Sequence, residues 1–81
     1  MPRSRFIPSV LTLSGSDPSG GAGLEADLKV FHQHGVFGMA IPTLLTAQNS
    51  RRLGKIRILD PGFVAEQWRA IFDGRRPSAI K

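Results

Sequence analysis

An α/β fold with a mostly parallel sheet is predicted by three features of this 81-residue chain. The run Val10-Leu11-Thr12-Leu13 is nearly continuous apolar or β-branched sequence, the pattern of a strand covered on both faces. A glycine-rich loop and a segment of helical spacing come next. Residues 38–49 then return to strand character. Strand and helix alternating in this way argue for helices lying on the faces of a parallel sheet.

The first strand is expected over residues 6–14, with Pro8 near its start, because proline cannot donate to a ladder. A helix is expected from Ala22 to His34. Leu24, Leu28 and Phe31 fall at i, i+4 and i+7 and make one apolar stripe, and Gly35 is placed to cap its end. His32 and His34 sit in the last turn, where a surface or capping role suits the helix dipole better than catalysis. The second strand contains Pro42, which predicts a bulge, an edge or a late start. Residues 50–59 alternate at Lys55, Ile56, Arg57 and Ile58, a short half-exposed strand or extended loop. Asp60-Pro61 opens a second helix, with aspartate as N-cap and proline at the first helical position. Phe63, Val64, Trp68, Ile71 and Phe72 form its apolar face, Trp68 and the phenylalanines are expected in the core, and Gly74 closes it. Ser78-Ala79-Ile80-Lys81 begins a third strand.

Composition bounds the function. Apolar residues make up 41% and charged residues 21%, an ordinary globular balance. The absence of cysteine excludes disulfides, thiolate metal sites and a cysteine nucleophile. No apolar run approaches membrane-spanning length, and the basic N-terminus is not followed by a small-residue cleavage pattern, so a cytoplasmic location without membrane partners is the default reading. The net charge is +5, but it is dispersed. Only Arg51, Arg52, Lys55 and Arg57 cluster, with no aromatic residue between them for base stacking. A solvated basic surface is therefore favoured over a nucleic-acid interface.

The loop Ser14-Gly15-Ser16-Asp17-Pro18-Ser19-Gly20-Gly21-Ala22-Gly23 fails both standard phosphate fingerprints. Gly15 and Gly20 have P-loop spacing, but Gly21 and Ala22 stand where lysine and a hydroxyl residue belong. Gly21 and Gly23 are followed by Ala26 where the dinucleotide pattern requires glycine. The loop nevertheless joins the C-terminal end of a strand to a helix N-terminus, the edge at which open α/β sheets bind ligands. Asp27 borders the apolar stripe, where a carboxylate either meets a ligand hydroxyl or amine or serves as a dipole carboxylate or local ion pair. Asp17 reads as turn chemistry. Gln48-Asn49 ends the second strand at the same edge; a carboxamide there suits a heterocycle with an amino group beside a ring nitrogen, or a turn satisfied by backbone.

The blocks "LTLSGSDPSGGAGLEADLKVF" and "GMAIPTLLTAQNS" resemble the opening of the hydroxymethylpyrimidine/phosphomethylpyrimidine kinases of thiamine biosynthesis, and "DPGFVAEQWRAIFD" is similar to that family's next helix. The resemblance implies a partial ribokinase-like three-layer fold, with residues 1–81 as the N-terminal portion of a single kinase domain. It implies ATP- and Mg-dependent phosphorylation of 4-amino-5-hydroxymethyl-2-methylpyrimidine and then of its monophosphate. Carried over by position, Gln48 pairs with the aminopyrimidine edge and Asp27 holds the hydroxymethyl or amino region. Gly15 and Ala22 line the pocket by backbone, and Thr46 flanks the ring. The family's ATP site and catalytic group lie in a C-terminal half whose motifs this sequence lacks. The expectation is therefore a pyrimidine-binding half with no catalytic or metal-binding residue, inactive alone and completed by itself as an oligomer or by the missing half. A non-catalytic pyrimidine-binding or regulatory module is the alternative, ahead of a small basic nucleic-acid binder. Pro42 and Leu44 depart from the family's isoleucine and alanine, and Arg52 from its glycine.

Overall fold

The structure, a computed structural model, describes residues 7–81; the expected strand residue Phe6 and the basic residues Arg3 and Arg5 lie outside them. The element order is β1 (Ser9–Ser16), α1 (Gly23–Gln33), β2 (Phe37–Gln48), β3 (Leu53–Ile58), α2 (Pro61–Asp73) and β4 (Ala79–Ile80). The four strands form one sheet in the order β3-β2-β1-β4. β1 is parallel to β2 and to β4, whereas β3 is antiparallel to β2.

Strand order fixes the layers. The crossover from β1 through α1 to β2 runs one way along the sheet. The path from the β2–β3 hairpin through α2 to β4 passes β1 and runs the other way. Right-handed crossovers in opposite directions put their helices on opposite faces. Side chains bear this out. Thr12 of β1 bonds to Asp27 of α1. Ser9 and Phe37, which face each other across β1 and β2, are reached from beyond α2, Ser9 Oγ by the Arg76 carbonyl and the Phe37 ring by the Arg75 guanidinium.

Both helices start and stop where their sequences dictate. The Asp60 carboxylate accepts from Phe63 N at 3.1 Å, and Pro61 takes the first position, where no N–H partner is needed. Gly35 leaves α1 with φ +70°, a conformation that favours glycine, and its N–H bonds to the His32 carbonyl. Pro42 does not end β2. Its β1 partner is Ser14, and the register shifts between Ser14 and Ser16. On the β3 side the ladder starts only at Thr43, whose carbonyl accepts from Leu59 N. Pro42 thus stands at the start of a bulge in the β1–β2 ladder, one of the outcomes its sequence predicts, and just before the β3 ladder begins, where its missing donor is tolerated.

The core is smaller than the apolar pattern suggests. Leu11 and Ile41 are the fully buried apolar side chains among the described residues. Phe37 and Phe63 are about half exposed, and Trp68 is half-buried, stacked on Phe72 with ring centroids 4.5 Å apart. The expectation that Trp68 and the phenylalanines form the core is corrected here: α2 lies against β2 alone, and four strands cannot cover its whole apolar face. β3 is exposed throughout, with Ile58 at 80%.

Candidate functional site

The site lies at the C-terminal end of β1, where the two crossovers diverge and open α/β sheets leave a crevice. β1 stops at Ser16, but β2 runs three residues past the last β1 pair, Ser16–Leu45, and turns back as β3. The hairpin therefore overhangs the glycine-rich loop.

Two carboxylates build the loop from within. Asp17 is almost fully buried. Its Oδ1 accepts from the Ser19 hydroxyl at 2.7 Å and from Ser19 N at 2.9 Å, and its Oδ2 accepts from Gly21 N at 3.1 Å. This is the turn chemistry read from the sequence. The Ser19 hydroxyl, joined by these backbone donors, holds the Asp17 carboxyl below its usual range against the effect of burial. Glu25, in the first turn of α1, accepts from the Ser16 hydroxyl and, at 2.8 Å, from Asp17 N. Burial acts to raise the Glu25 carboxyl, but the Ser16 and Asp17 hydrogen bonds outweigh it and leave it lowered. The sequence does not mark Glu25, because the capping-box pattern needs a hydroxyl residue at the N-cap and Ala22 stands there.

Backbone geometry completes the turn. Gly23 opens α1 with φ +63°, and a Cβ at this position would overlap the Gly15 carbonyl oxygen. Gly15 itself packs under Leu44: a Cβ there would come within 2.6 Å of Leu44 Cδ1. Leu44, a departure from the family's alanine, thus abuts the backbone expected to line the pocket.

Two polar groups flank the loop. In the first, Asp27 Oδ2 accepts from Thr12 Oγ1 at 2.6 Å, Thr12 Oγ1 lies 3.1 Å from Ser14 Oγ, and Lys81 Nζ reaches Asp27 Oδ1 at 3.0 Å. The Thr12 hydroxyl, then Lys81, lower the Asp27 carboxyl despite its partial burial. Asp27 thus has an ion pair, but with the far end of the described chain and not a local one. Lys81 had no signal in the sequence; β4 brings it there by pairing beside β1. In the second group, Thr46 Oγ1 donates to the Ser16 carbonyl at 2.9 Å, and Gln48 Nε2 donates to Thr46 Oγ1 at 2.8 Å. Asn49 takes the turn role instead, its Oδ1 accepting from Arg51 N and Arg52 N. Arg52, where the family has glycine, makes this turn without a positive φ.

Asp27 and Gln48 share no hydrogen bond. Asp27 joins the row Thr12-Ser14-Ser16 that alternate residues of β1 present toward α1, whereas Thr46 and Gln48 are tied to that strand at the Ser16 carbonyl and, by alternation from Leu44 over Gly15, lie toward the other face of the sheet. Ala22 is the N-cap of α1, exposed, in extended conformation and without a side-chain cap, so the first turn of the helix opens beside this row.

Together these two groups bring hydroxyls, a carboxamide and a carboxylate to the end of β1, chemistry that suits a small polar ligand. It does not suit the phosphates of ATP. The Ser19 and Gly21 amides that could cradle a phosphate are taken by Asp17, and the carboxylates of Asp17 and Glu25 repel an anion. Among the described residues no group of His, Asp and Glu is placed to hold a metal ion. No helix among them is long and apolar enough to cross a membrane.

All three carboxylates are lowered on folding, which fixes a pH dependence. As pH falls through about 4, the unfolded chain binds protons before the folded one, so stability present above that range is lost below it. Thermal unfolding followed by circular dichroism should show a midpoint level between pH 5 and 7 that falls steadily from pH 5 to 3. A midpoint unchanged over that range would contradict these assignments.

Comparison with known proteins agrees with this architecture. The phosphomethylpyrimidine kinase family model matches residues 17–81. A hydroxymethylpyrimidine/phosphomethylpyrimidine kinase of Staphylococcus aureus is 46% identical over 71 residues, covering 88% of this chain and 26% of the relative. The crystal structure of phosphomethylpyrimidine kinase from Clostridium difficile 630 superposes with a TM-score of 0.85 at 40% identity, over 89% of this chain and 33% of that one. Pyridoxal kinase from Staphylococcus aureus superposes with a TM-score of 0.83 at 30% identity, over 94% of this chain and 28% of that one. The chain spans 26–27% of the length of the curated bacterial kinases and 15% of the bifunctional thiamine biosynthesis proteins that it matches. With the family model matched from Asp17 to Lys81 and the ribokinase-like sheet order in place, the chain belongs to the phosphomethylpyrimidine kinase family.

Proposed function

We propose that residues 1–81 are the N-terminal, pyrimidine-binding portion of a single cytoplasmic ribokinase-like kinase domain. That domain uses ATP and Mg to phosphorylate 4-amino-5-hydroxymethyl-2-methylpyrimidine and then its monophosphate in thiamine biosynthesis. The observation that supports this reading is the Thr46–Ser16 hydrogen bond, which ties the carboxamide end of β2 to the end of the strand whose Thr12 holds Asp27. Gln48 faces the amino and ring-nitrogen edge of the pyrimidine. Asp27, kept ionised by Thr12 and Lys81, accepts from the hydroxymethyl or amino group. Gly15 and Ala22 contribute backbone, and Thr46 flanks the ring.

ATP, when bound, supplies the phosphoryl group, but the residues described here do not fit its phosphates, and no step of transfer is assigned to them. The chain's own part is to bind and orient the acceptor. Phosphoryl transfer depends on positioning the γ-phosphoryl group, so the chain alone binds without turning over. The apolar side chains exposed at Leu53, Ile56, Ile58 and Ile80 are the surface on which the rest of such a domain packs.

Titration calorimetry of the 81-residue chain with 4-amino-5-hydroxymethyl-2-methylpyrimidine tests the reading. Saturable binding is expected, and Gln48→Ala should weaken it about tenfold or more, the effect of removing paired hydrogen bonds from a ligand edge. Absence of binding, or binding indifferent to Gln48→Ala, would refute it. Robust ATP-dependent turnover by the same chain would refute the division of labour.

A further inference from the structure

The pyrimidine reading says that Gln48 pairs with the ligand but leaves open which way its amide faces. A glutamine amide has two orientations related by a half-turn, and hydrogen-bond partners decide between them. Here the partners form a directed chain. The Ser16 carbonyl can only accept, so the single Thr46 hydroxyl proton, 2.9 Å away, is committed to it. Thr46 Oγ1 then faces Gln48 with lone pairs only, and the group 2.8 Å from it must be the Nε2 donor. Turning the amide over would set Oε1 against the Thr46 oxygen and forfeit the bond. The start of the chain is itself anchored. Glu25 of α1 holds the Ser16 hydroxyl and the Asp17 N–H, which fixes the peptide unit carrying the Ser16 carbonyl.

We propose that Thr46 is a positioning residue that locks the Gln48 amide in one orientation, and that this lock selects an aminopyrimidine edge over the corresponding oxo edge. With one Nε2 proton given to Thr46, Gln48 presents Oε1 and its remaining N–H side by side. That pair complements an exocyclic amino group next to an acceptor ring nitrogen. A 4-oxo pyrimidine carries the reverse, a carbonyl next to a ring N–H, and needs the amide turned over. Discrimination thus comes from a residue that need not touch the exocyclic group.

The inference rests on the proposed pyrimidine site, and the experiment separates the two. Calorimetry would compare 4-amino-5-hydroxymethyl-2-methylpyrimidine with its 4-oxo analogue on the wild-type chain, Thr46→Val and Thr46→Ser. Nitrogen-15 spectra of the ligand-free proteins would follow the Gln48 side-chain amide. Wild type and Thr46→Ser should prefer the amino ligand about tenfold or more, since the wrong edge leaves polar groups unpaired. In Thr46→Val the preference should shrink to about threefold or less, mainly through tighter binding of the oxo ligand, because the amide turns freely. One Gln48 Nε2 proton should exchange slowly and show proximity to the side chain of residue 46 in wild type and Thr46→Ser, and neither in Thr46→Val. If Thr46→Val keeps the full preference, the lock is refuted while the pyrimidine site stands. If wild type binds neither ligand, the pyrimidine reading fails, and an amide signal without protection or proximity to Thr46 refutes the lock as well. Backbone spectra report whether Thr46→Val is folded, and Thr46→Ser supplies the rescue that a merely structural residue would not require to carry a hydroxyl.

Discussion

Gly23→Ala is expected to destabilise the chain by about 3 kcal/mol or more, enough to lower the melting midpoint by roughly 12–24 degrees or abolish a cooperative transition. Two costs add. A side chain at φ +63° carries the left-handed penalty of about 1–2 kcal/mol. The added Cβ also overlaps the Gly15 carbonyl oxygen, which is backbone and cannot swing aside. The loop and the end of β1 would have to separate, loosening the Glu25 bonds to Ser16 and Asp17. Gly35→Ala provides the comparison. Its φ is +70°, yet a Cβ there meets nothing within 4 Å, so it bears the conformational cost alone, about 1 kcal/mol. Circular dichroism melts of the two variants should differ by many degrees. Equal midpoints would show that the Gly15–Gly23 approach does not constrain the fold.

That close approach also explains why the loop is rich in glycine while matching neither phosphate fingerprint. Glycine is needed here so that two backbone segments can touch, and the loop's amides are turned inward to Asp17. What the sequence makes legible is local. The β1–α1–β2 unit, the Asp60-Pro61 helix start and the Gly35 cap follow from spacing and capping chemistry within a few residues. Gln48 and Asp27 were found as candidates because each sits at an element end or stripe border. Thr46, the partner of Gln48, is named with it; the partners of Asp27 carry no such mark, because those contacts join separate elements. Lys81 meets Asp27 only through a two-residue strand that pairs beside β1, and no periodicity reports such a pairing. Glu25 acts without the hydroxyl N-cap that would have marked it. Pro42 signals a bulge, an edge or a late start, and the bulge is what the ladder shows, because a lost donor is tolerated where the register shifts. The core was overestimated at Trp68 and the phenylalanines for a related reason: apolar periodicity marks the face a helix would bury, whereas the extent of burial depends on how much sheet lies beneath it.

Leu11→Ala is the second change with a large expected effect, about 2–5 kcal/mol. A chain of this size has a total stability of about 4–12 kcal/mol at ordinary values per residue, so the loss would take a large part of it. Leu11 is fully buried on the central strand, one of two such apolar side chains among the described residues, and few neighbours can close in to fill the space. Its carbonyl accepts from Lys81 N at 2.8 Å, and the adjacent Thr12 holds Asp27. Disturbing this strand therefore disturbs both the docking of β4 and one end of the polar row. Ile58→Ser removes nearly as much hydrocarbon from a side chain that is 80% exposed, and should stay within about 0.5 kcal/mol of wild type. Urea denaturation of both variants separates burial from hydrophobicity as the source of stability. A midpoint shift for Ile58→Ser as large as that for Leu11→Ala would mean that β3 is covered in solution and that the centre of the fold lies elsewhere than on β1. A selective loss for Leu11→Ala, with pyrimidine binding lost in step, ties the candidate site to the one strand from which both of its polar groups hang.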